Sequence, residues 1–367
     1  MERVIDTSIG INPEGHELPY YEELVLNDEE KKKLERNIER GEFIGGSYFA
    51  ETVGSGAAGK MNEDSYAVFP MGKGRTLLAV FDGASSQKKI EGLERLEMSG
   101  AFYVSHLTSM IFRKSEEFRK LCQPDDITAE DVLKTINSWL PVKFDRVPGV
   151  DYSDPCSIPG MAAALVLIDV PNEKMTVAQV ADTFIALQKQ NGEIEVASNN
   201  TNERFDKETN EYFISLCEKY NIARNEVRKD PRTKPLCEAH LKDSFRRKIN
   251  SHGGCGILNG MQELIGNRLY YTNEYKLNGN IERVIMFSDG TIQPYTGDGV
   301  SFEDSVRSLF NVIDENSDEN SVIDKGIPIL DNDPKYEKIF RLKNRDDSTI
   351  MSVDISYKGI NSLPLAG

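Results

Sequence analysis

RTLLAVFDGASSQ, Arg75 to Gln87, is the stretch on which the reading of this chain turns. Leu77 to Phe81 is a continuous apolar run of the kind that forms a buried strand. It leads without interruption into Asp82-Gly83. An Asp-Gly pair at the end of a strand is ordinarily a turn. The same junction recurs in ERVIMFSDGTIQ, where Val284 to Phe287 lead into Ser288-Asp289-Gly290.

Further acids stand in the same kind of setting. MNEDSYAVF places Glu63 and Asp64 at the start of a strand. AQVADTFIAL places Asp182 inside an apolar run. NRDDSTIMSV places Asp346 and Asp347 just before a strand. A half-buried carboxylate is costly unless it is paired or bound to a metal. One such acid reads as a turn or a cap; five contexts read as a cluster, provided the strands lie side by side. Clustered carboxylates with few histidines select hard cations, Mg²⁺ or Mn²⁺. Zinc would want the histidines grouped, and His16, His106, His240 and His252 are dispersed. A glycine after the acid allows unusual backbone angles and leaves its carbonyl open to a ligand.

The rest of the chain supplies the frame. NDEEKKKLERNIERGE reads as a charged surface helix with Asn27 as N-cap and Gly41 as stop. SYFAETVGSG and SYAVFPMGKGRTLLAVFD read as strands, the latter a hairpin turning at MGKG. IEGLERLEMSGAFYVSHLTSMIFRKSEEFRKLC has helical spacing, and TAEDVLKTINSWL is a second helix capped by Thr128 with Asp131 three residues on. Strands return from Met161 to Ser198, with turns at Pro171-Asn172 and Asn191-Gly192. Residues from about 200 to 255 read as helical, with TKPLCEAHLKDSFRRKINSHGG ending at Gly253-Gly254. Strands near Val284 and Ile350 come last, separated by mixed helix and loop. Helices in blocks do not suit a doubly wound parallel sheet. Two antiparallel sheets flanked by helix pairs are expected, an α+β class.

Composition limits the function. The 367 residues carry a net charge of −16, with 39% hydrophobic and 28% charged residues. That balance suits a globular chain and argues against a nucleic-acid partner, which wants a basic face. Five scattered cysteines without a CxxC pair suggest free thiols in a reducing compartment. The start shows no apolar signal region, and Met161 to Ile168, the longest apolar run, is too short to span a bilayer. A cytoplasmic, monomeric protein without membrane contact is expected.

Taken in order, NEDSYAV, LLAVFDG, PGMAAALVLI, VAQVADTFIAL, VIMFSDG and RDDSTIMSV resemble the motifs of the metal-dependent serine/threonine protein phosphatases of type 2C, across roughly residues 45 to 357. The resemblance implies an α-β-β-α sandwich with a site for two Mn²⁺ or Mg²⁺ ions, and a weaker third, at one edge. It implies hydrolysis of phosphoserine and phosphothreonine in a phosphorylated protein substrate by metal-activated water. Asp82 then matches the bridging carboxylate, the Gly83 carbonyl a ligand of one metal, and Asp289 and Asp346 ligands of the other. Asp346 rather than Asp347 matches, because the family reads Arg-Asp-Asn-x-Ser/Thr where this chain has Arg345-Asp346-Asp347-Ser348-Thr349. Glu63 and Asp64 match the pair that holds metal-bound waters, and Asp182 the aspartate of Gly-Asp-Ser, linked to the third metal. The catalytic set expected is Asp82, Glu63 and Asp64.

The departures are specific. The arginine that grips substrate phosphate is Gly59 here, with Lys60 beside it as the stand-in; lysine binds phosphate as a point charge. The histidine of many eukaryotic members is Ala84, and Gly-Asp-Ser-Arg has become Ala181-Asp182-Thr183-Phe184. The expected domain map is an extension over 1–45 with its charged helix, a phosphatase-like domain over 46–360 and an enlarged flap-like insert at about 190–275. Within the insert, RNEVRKDPRTK reads as a solvated surface, with contact to a phosphorylated substrate as its functional alternative. A catalytically silent module that binds phosphoproteins is the competing function. An aspartate-nucleophile phosphatase is excluded, because its nucleophile would fall on Phe287.

Overall fold

The computed structural model describes residues 34–56, 60–84, 88–114, 124–296, 299–315, 321–337 and 345–356. Eleven strands among them form two antiparallel sheets. The first sheet has the order β1 (Arg36–Phe43), β2 (Gly46–Val53), β11 (Ser348–Ile355), β10 (Ile281–Phe287), β7 (Phe184–Lys189), β8 (Ile194–Val196). The second has the order β3 (Ser65–Gly72), β4 (Arg75–Ala84), β5 (Gly160–Asp169), β6 (Lys174–Val180), β9 (Tyr271–Lys276).

Strand alternation builds four layers from this sequence. In β4, Leu77, Ala79 and Phe81 face the helices α2 (Gly100–Lys114) and α3 (Ala129–Phe144), while Leu78 and Val80 face the other sheet. In β10, Val284 and Met286 face the second sheet, while Ile285 and Phe287 face the helix Phe302–Glu315 and its neighbours. β5 is central and covered on both faces, which is why Met161 to Ile168 is apolar without interruption. The expected α-β-β-α sandwich is therefore the observed fold.

Several local expectations hold. The hairpin turns at Lys73-Gly74, and Thr128 and Asp131 form a reciprocal capping box at the start of α3. Others are corrected. The helix expected over residues 27–41 lies partly outside the described residues, and from Arg36 onward it is strand β1. Eight residues pair with β2, and that ladder outweighs a local helical preference that charged residues support only weakly. Gly41 ends no helix; a Cβ there would come within 2.6 Å of the Tyr48 ring. The run from Ile90 is two helices, α1 (Glu91–Glu94) and α2, broken where Glu97 turns left-handed at φ 57. The span expected as an insert, about 190–275, contains α4 (Glu203–Tyr220), α5 (Lys234–Lys248) and the short α6 (Gln262–Gly266). Helix α5 stops at Ile249, whose N–H still bonds Phe245 O, before Gly253-Gly254. Tyr271–Lys276, read as the end of the insert, is edge strand β9; its polar, mostly exposed residues hide that pairing from the sequence.

No helix among the described residues is long and apolar enough to cross a membrane. Cys156, Cys217, Cys237 and Cys255 are free thiols, all buried; Cys122 lies outside the described residues.

Candidate active site

Antiparallel pairing sets the end of one strand beside the start of its neighbour. Ser65 faces Phe81, so Glu63-Asp64 lie beside Asp82. In the other sheet Phe287 faces Ile350 on one side and Phe184 on the other. Asp289 therefore lies beside Asp346-Asp347, and near Asp182, which precedes β7. Ser288 N–H donates to Thr349 O and Thr349 N–H to Ser288 Oγ, both at 2.9 Å, continuing the ladder to the edge of the site.

The convergence registers on Asp82. Its carboxyl is held well above the usual carboxylate range, first by burial, then by the charges of Asp64, Asp289, Asp182 and Asp346. All of these act in one direction. Acids from five separate stretches thus form a single acidic basin. Among the described residues no three His, Cys, Asp or Glu side chains are drawn into one coordination shell. What the basin offers is an all-oxygen donor set whose mutual repulsion a divalent cation would offset, and such donors suit Mg²⁺ or Mn²⁺.

Glu63 is fixed on every side. Its N–H donates to Asp347 Oδ2 at 2.9 Å, and its carbonyl accepts from Ser105 Oγ at 2.6 Å and Gly83 N–H at 3.2 Å. Its carboxylate accepts from Ser99 Oγ at 2.6 Å and pairs with Lys60 Nζ at 2.9 Å. Asn62 turns the chain into β3: its Oδ1 accepts from Asp64 N–H at 3.0 Å, and its Nδ2 donates to Thr52 Oγ1 at 2.8 Å. Asn62, Ser99 and Ser105 were not singled out in the sequence. Asn62 adjoins Glu63, but the two serines come from α2 and its approach, where nothing local marks them.

Lys60 is half-buried, and its ammonium is engaged by Glu63 and by Asp347, each at 2.9 Å. A phosphate reaching it competes with both carboxylates. Asp347 is buried and also accepts from Ser55 N–H at 2.7 Å. Burial raises its carboxyl, but Lys60 and these N–H groups outweigh that and hold it below the usual range. Gly59 lies outside the described residues.

The glycines after the acids serve close packing rather than unusual angles. Neither Gly83 nor Gly290 has positive φ. A Cβ on Gly83 would lie 2.6 Å from Ala101 O, and one on Gly290 would lie 2.1 Å from Asp347 O. Ala181 shows the reverse case. It adopts φ 68, a left-handed conformation that favours glycine, immediately before Asp182. Gln179 Nε2 holds its carbonyl at 2.6 Å.

Helix α4 adds an acid that sequence inspection missed. Asp206 lies on the buried face with Thr209 and Phe213, and burial plus the charge of Asp182 push its carboxyl up to about 8. Its spacing from Phe213 was the available signal. Within RNEVRKDPRTK, Arg232 pairs with Asp230 at 2.6 Å and Lys229 with Glu226 at 3.4 Å, while Arg224 reaches across the chain to donate to Tyr336 O at 3.4 Å.

Residues 55–325 match the family model described as Protein phosphatase 2C. The chain belongs to the protein phosphatase 2C family. The matched span includes Glu63, Asp64, Asp82, Asp182 and Asp289 and ends before Asp346. Among solved structures, the serine/threonine phosphatase Stp1 from Staphylococcus aureus is 14% identical, with 87% of this chain and 99% of that one covered at a TM-score of 0.44. The Mycobacterium tuberculosis phosphatase PstP/Ppp is 14% identical, covering 84% and 98% at a TM-score of 0.43. RsbX in complex with magnesium is 13% identical, covering 87% and 100% at 0.42. No curated protein sequence matches the chain.

Proposed function

We propose that the chain hydrolyses phosphoserine and phosphothreonine in proteins, at the basin around Asp82, with bound Mn²⁺ or Mg²⁺. The observation that carries this reading is the strand pairing that sets Asp64 beside Asp82, and Asp289 beside Asp346 and Asp182, with their charges acting jointly on Asp82. Asp82, Gly83 through its carbonyl, Asp289 and Asp346 would hold two ions, with Asp64 and Glu63 holding water beside them and Asp182 serving a third. Divalent cations in such a site supply Lewis acidity, offsetting charge at phosphorus and making water a competent nucleophile at neutral pH.

The chain's own residues do the positioning. Lys60, Ser99 and the Asp347 carboxylate lock Glu63, so that a water bonded to it would be presented in one orientation. Asp82 lies at the end of β4 and Asp289 opens the helical turn Asp289–Ile292 that follows β10; each of these strands is held by a ladder on both sides, which keeps the acids' backbone rigid. Asp206 faces Asp182 from helix α4, and burial together with the Asp182 charge raises its carboxyl.

Turnover of para-nitrophenyl phosphate and of a phosphoserine peptide, each with Mn²⁺ and after exhaustive chelation, tests the reading. Turnover only with the metal is expected. Full activity after chelation, or activity with Zn²⁺ alone, would overturn it. Metal and phosphopeptide binding without turnover would instead make the chain a silent phosphoprotein-binding module.

A further inference from the structure

Beside the acidic basin lies a basic cavity of about 190 Å³, between the start of α4 and the turn that follows α5. Thr201, Arg204, Arg247, Lys248, Ser251 and His252 provide its polar lining. No aspartate or glutamate lines it, although the chain has 60 acids against 44 lysines and arginines. A larger cavity of about 430 Å³, lined by Arg40, Phe49, Arg283 and Asp354 among others, lies at the opposite end of β10 and β11 from the acids.

Two carboxylates stand behind the basic cavity. Glu208 takes Arg204 Nε at 2.9 Å and also meets Lys248, and Asp243 takes Arg247 at 2.5 Å. Three cations against two anions leave a net positive charge. The Arg204 and Arg247 side chains are 82% and 66% exposed, so their pairs are weak surface pairs that orient the guanidinium groups. Each guanidinium has five donors, more than one carboxylate uses. Lys248 lies 5.7 Å from the Phe205 ring centre, which steadies its stem.

The cavity adjoins the basin through its apolar wall. Phe205 and Cys255 belong to a small cluster with Phe245, Ile249 and Ile257 that reaches Ala84, two residues beyond Asp82. The Cys255 thiol is pushed up to about 12, first by burial and then by Asp206 and Asp182, while Lys248 acts on it in the opposite sense. One residue thus feels both the acids and the cavity's lysine.

We propose that this cavity is an anion subsite that takes a second phosphoryl group of the phosphopeptide whose scissile phosphoryl lies at the basin. The inference rests on the reading of the basin as a phosphatase centre and deepens it to a substrate class, multiply phosphorylated segments. A phosphoryl group carries close to two charges and three acceptor oxygens, which two guanidinium forks and an ammonium can meet together. A carboxylate side chain supplies one charge and two oxygens and leaves donors unmet.

Binding tests the subsite apart from turnover. A labelled phosphoserine peptide and its serine counterpart are titrated by fluorescence anisotropy into the full chain in chelator. The phosphopeptide is expected to bind about tenfold tighter, as one or two charge-assisted hydrogen bonds provide. In Arg204→Glu/Arg247→Glu, with folding verified by its melting curve, the difference should vanish. Equal binding of the two peptides by the wild-type chain, or a difference that survives both charge reversals, would overturn the subsite. With Mn²⁺ present, a doubly phosphorylated peptide should show a lower KM than its singly phosphorylated form, and equal KM values would overturn it as well. Absent para-nitrophenyl phosphate turnover together with a retained phosphopeptide preference would place the failure in the basin and not in the cavity.

Discussion

Lys60 Nζ lies 2.9 Å from Asp347 Oδ2, tying the loop before β3 to the start of β11 across 287 residues of sequence. Asp347 is a buried carboxylate and Lys60 is the cation that compensates it.

Their coupling is measurable. Lys60→Ala leaves Asp347 buried without its cation, and Asp347→Asn leaves Lys60 facing an amide; each should cost about 1–3 kcal/mol. The double variant should cost less than the sum, because neither residue is then left uncompensated. Urea denaturation of the four proteins gives the coupling, and strict additivity would refute the pairing. In turnover, Asp347→Asn should release Lys60 toward substrate and lower the KM for a phosphopeptide, whereas Asp346→Asn should abolish activity. The opposite pattern would place the register one residue off.

Asp82→Asn separates stability from catalysis. The amide removes one charge from a crowded basin, so the metal-free variant should be at least as stable as the wild type. Mn²⁺ at about a hundred times its Kd should stabilise the wild-type chain by about 2.7 kcal/mol. The variant should show little of that gain and no turnover. Thermal melts with and without Mn²⁺ decide the point; an equal Mn²⁺ shift in both proteins would rule out Asp82 as a shared ligand.

Ala181→Gly should stabilise the fold by about 1 kcal/mol, because a left-handed alanine carries strain that glycine lacks. The urea midpoint is the readout. An unchanged or lower midpoint would mean that the alanine methyl, in a residue 1% exposed, contributes as much by packing as the strain costs.

Gly290→Ala should act in the other direction. Its Cβ would lie 2.1 Å from the Asp347 carbonyl, a backbone atom that cannot swing aside. Overpacking of this kind costs about 1–3 kcal/mol. Separation of the ends of β10 and β11 should also weaken Mn²⁺ binding, which calorimetry would register. Wild-type stability and affinity would exclude the close approach.

Asp154 predicts an acid limit for the attachment of the insert. Arg246, at 3.0 Å, and Lys88 hold its carboxyl far below the usual range. A depressed carboxylate contributes stability that is complete above its unfolded pKa, near 3.8, and is lost as pH falls through the folded value. The hold of α5 on the loop before β5 should therefore be intact at about pH 5 and weaken below about pH 4. Asp154→Asn should flatten that decline in the urea midpoint, and parallel profiles would dismiss it.

The two-sheet sandwich is legible in the local sequence. Continuous apolar runs such as Leu77–Phe81 and Met161–Ile168 are local signals of buried strands, and an aspartate at a strand end can be read without knowing its neighbours. In β4 and β10 both faces are apolar, so which face meets the other sheet is settled only by the packing. Tertiary structure alone decided what depends on partners far along the chain. Strand β1 is a strand because β2 lies beside it, and the exposed edge strand β9 carries no apolar signal of its own. Lys60 reads as a phosphate ligand until Asp347 is placed against it. Gly83 and Gly290 read as sources of backbone freedom until Ala101 O and Asp347 O are seen to crowd them. Asp206 and the basic cavity arise where the insert folds over the sheet edge, and periodicity places a residue on a helix face but not the face against a site. Hydrophobic burial is written residue by residue, whereas charge compensation and close approach are properties of pairs that only the folded chain brings together.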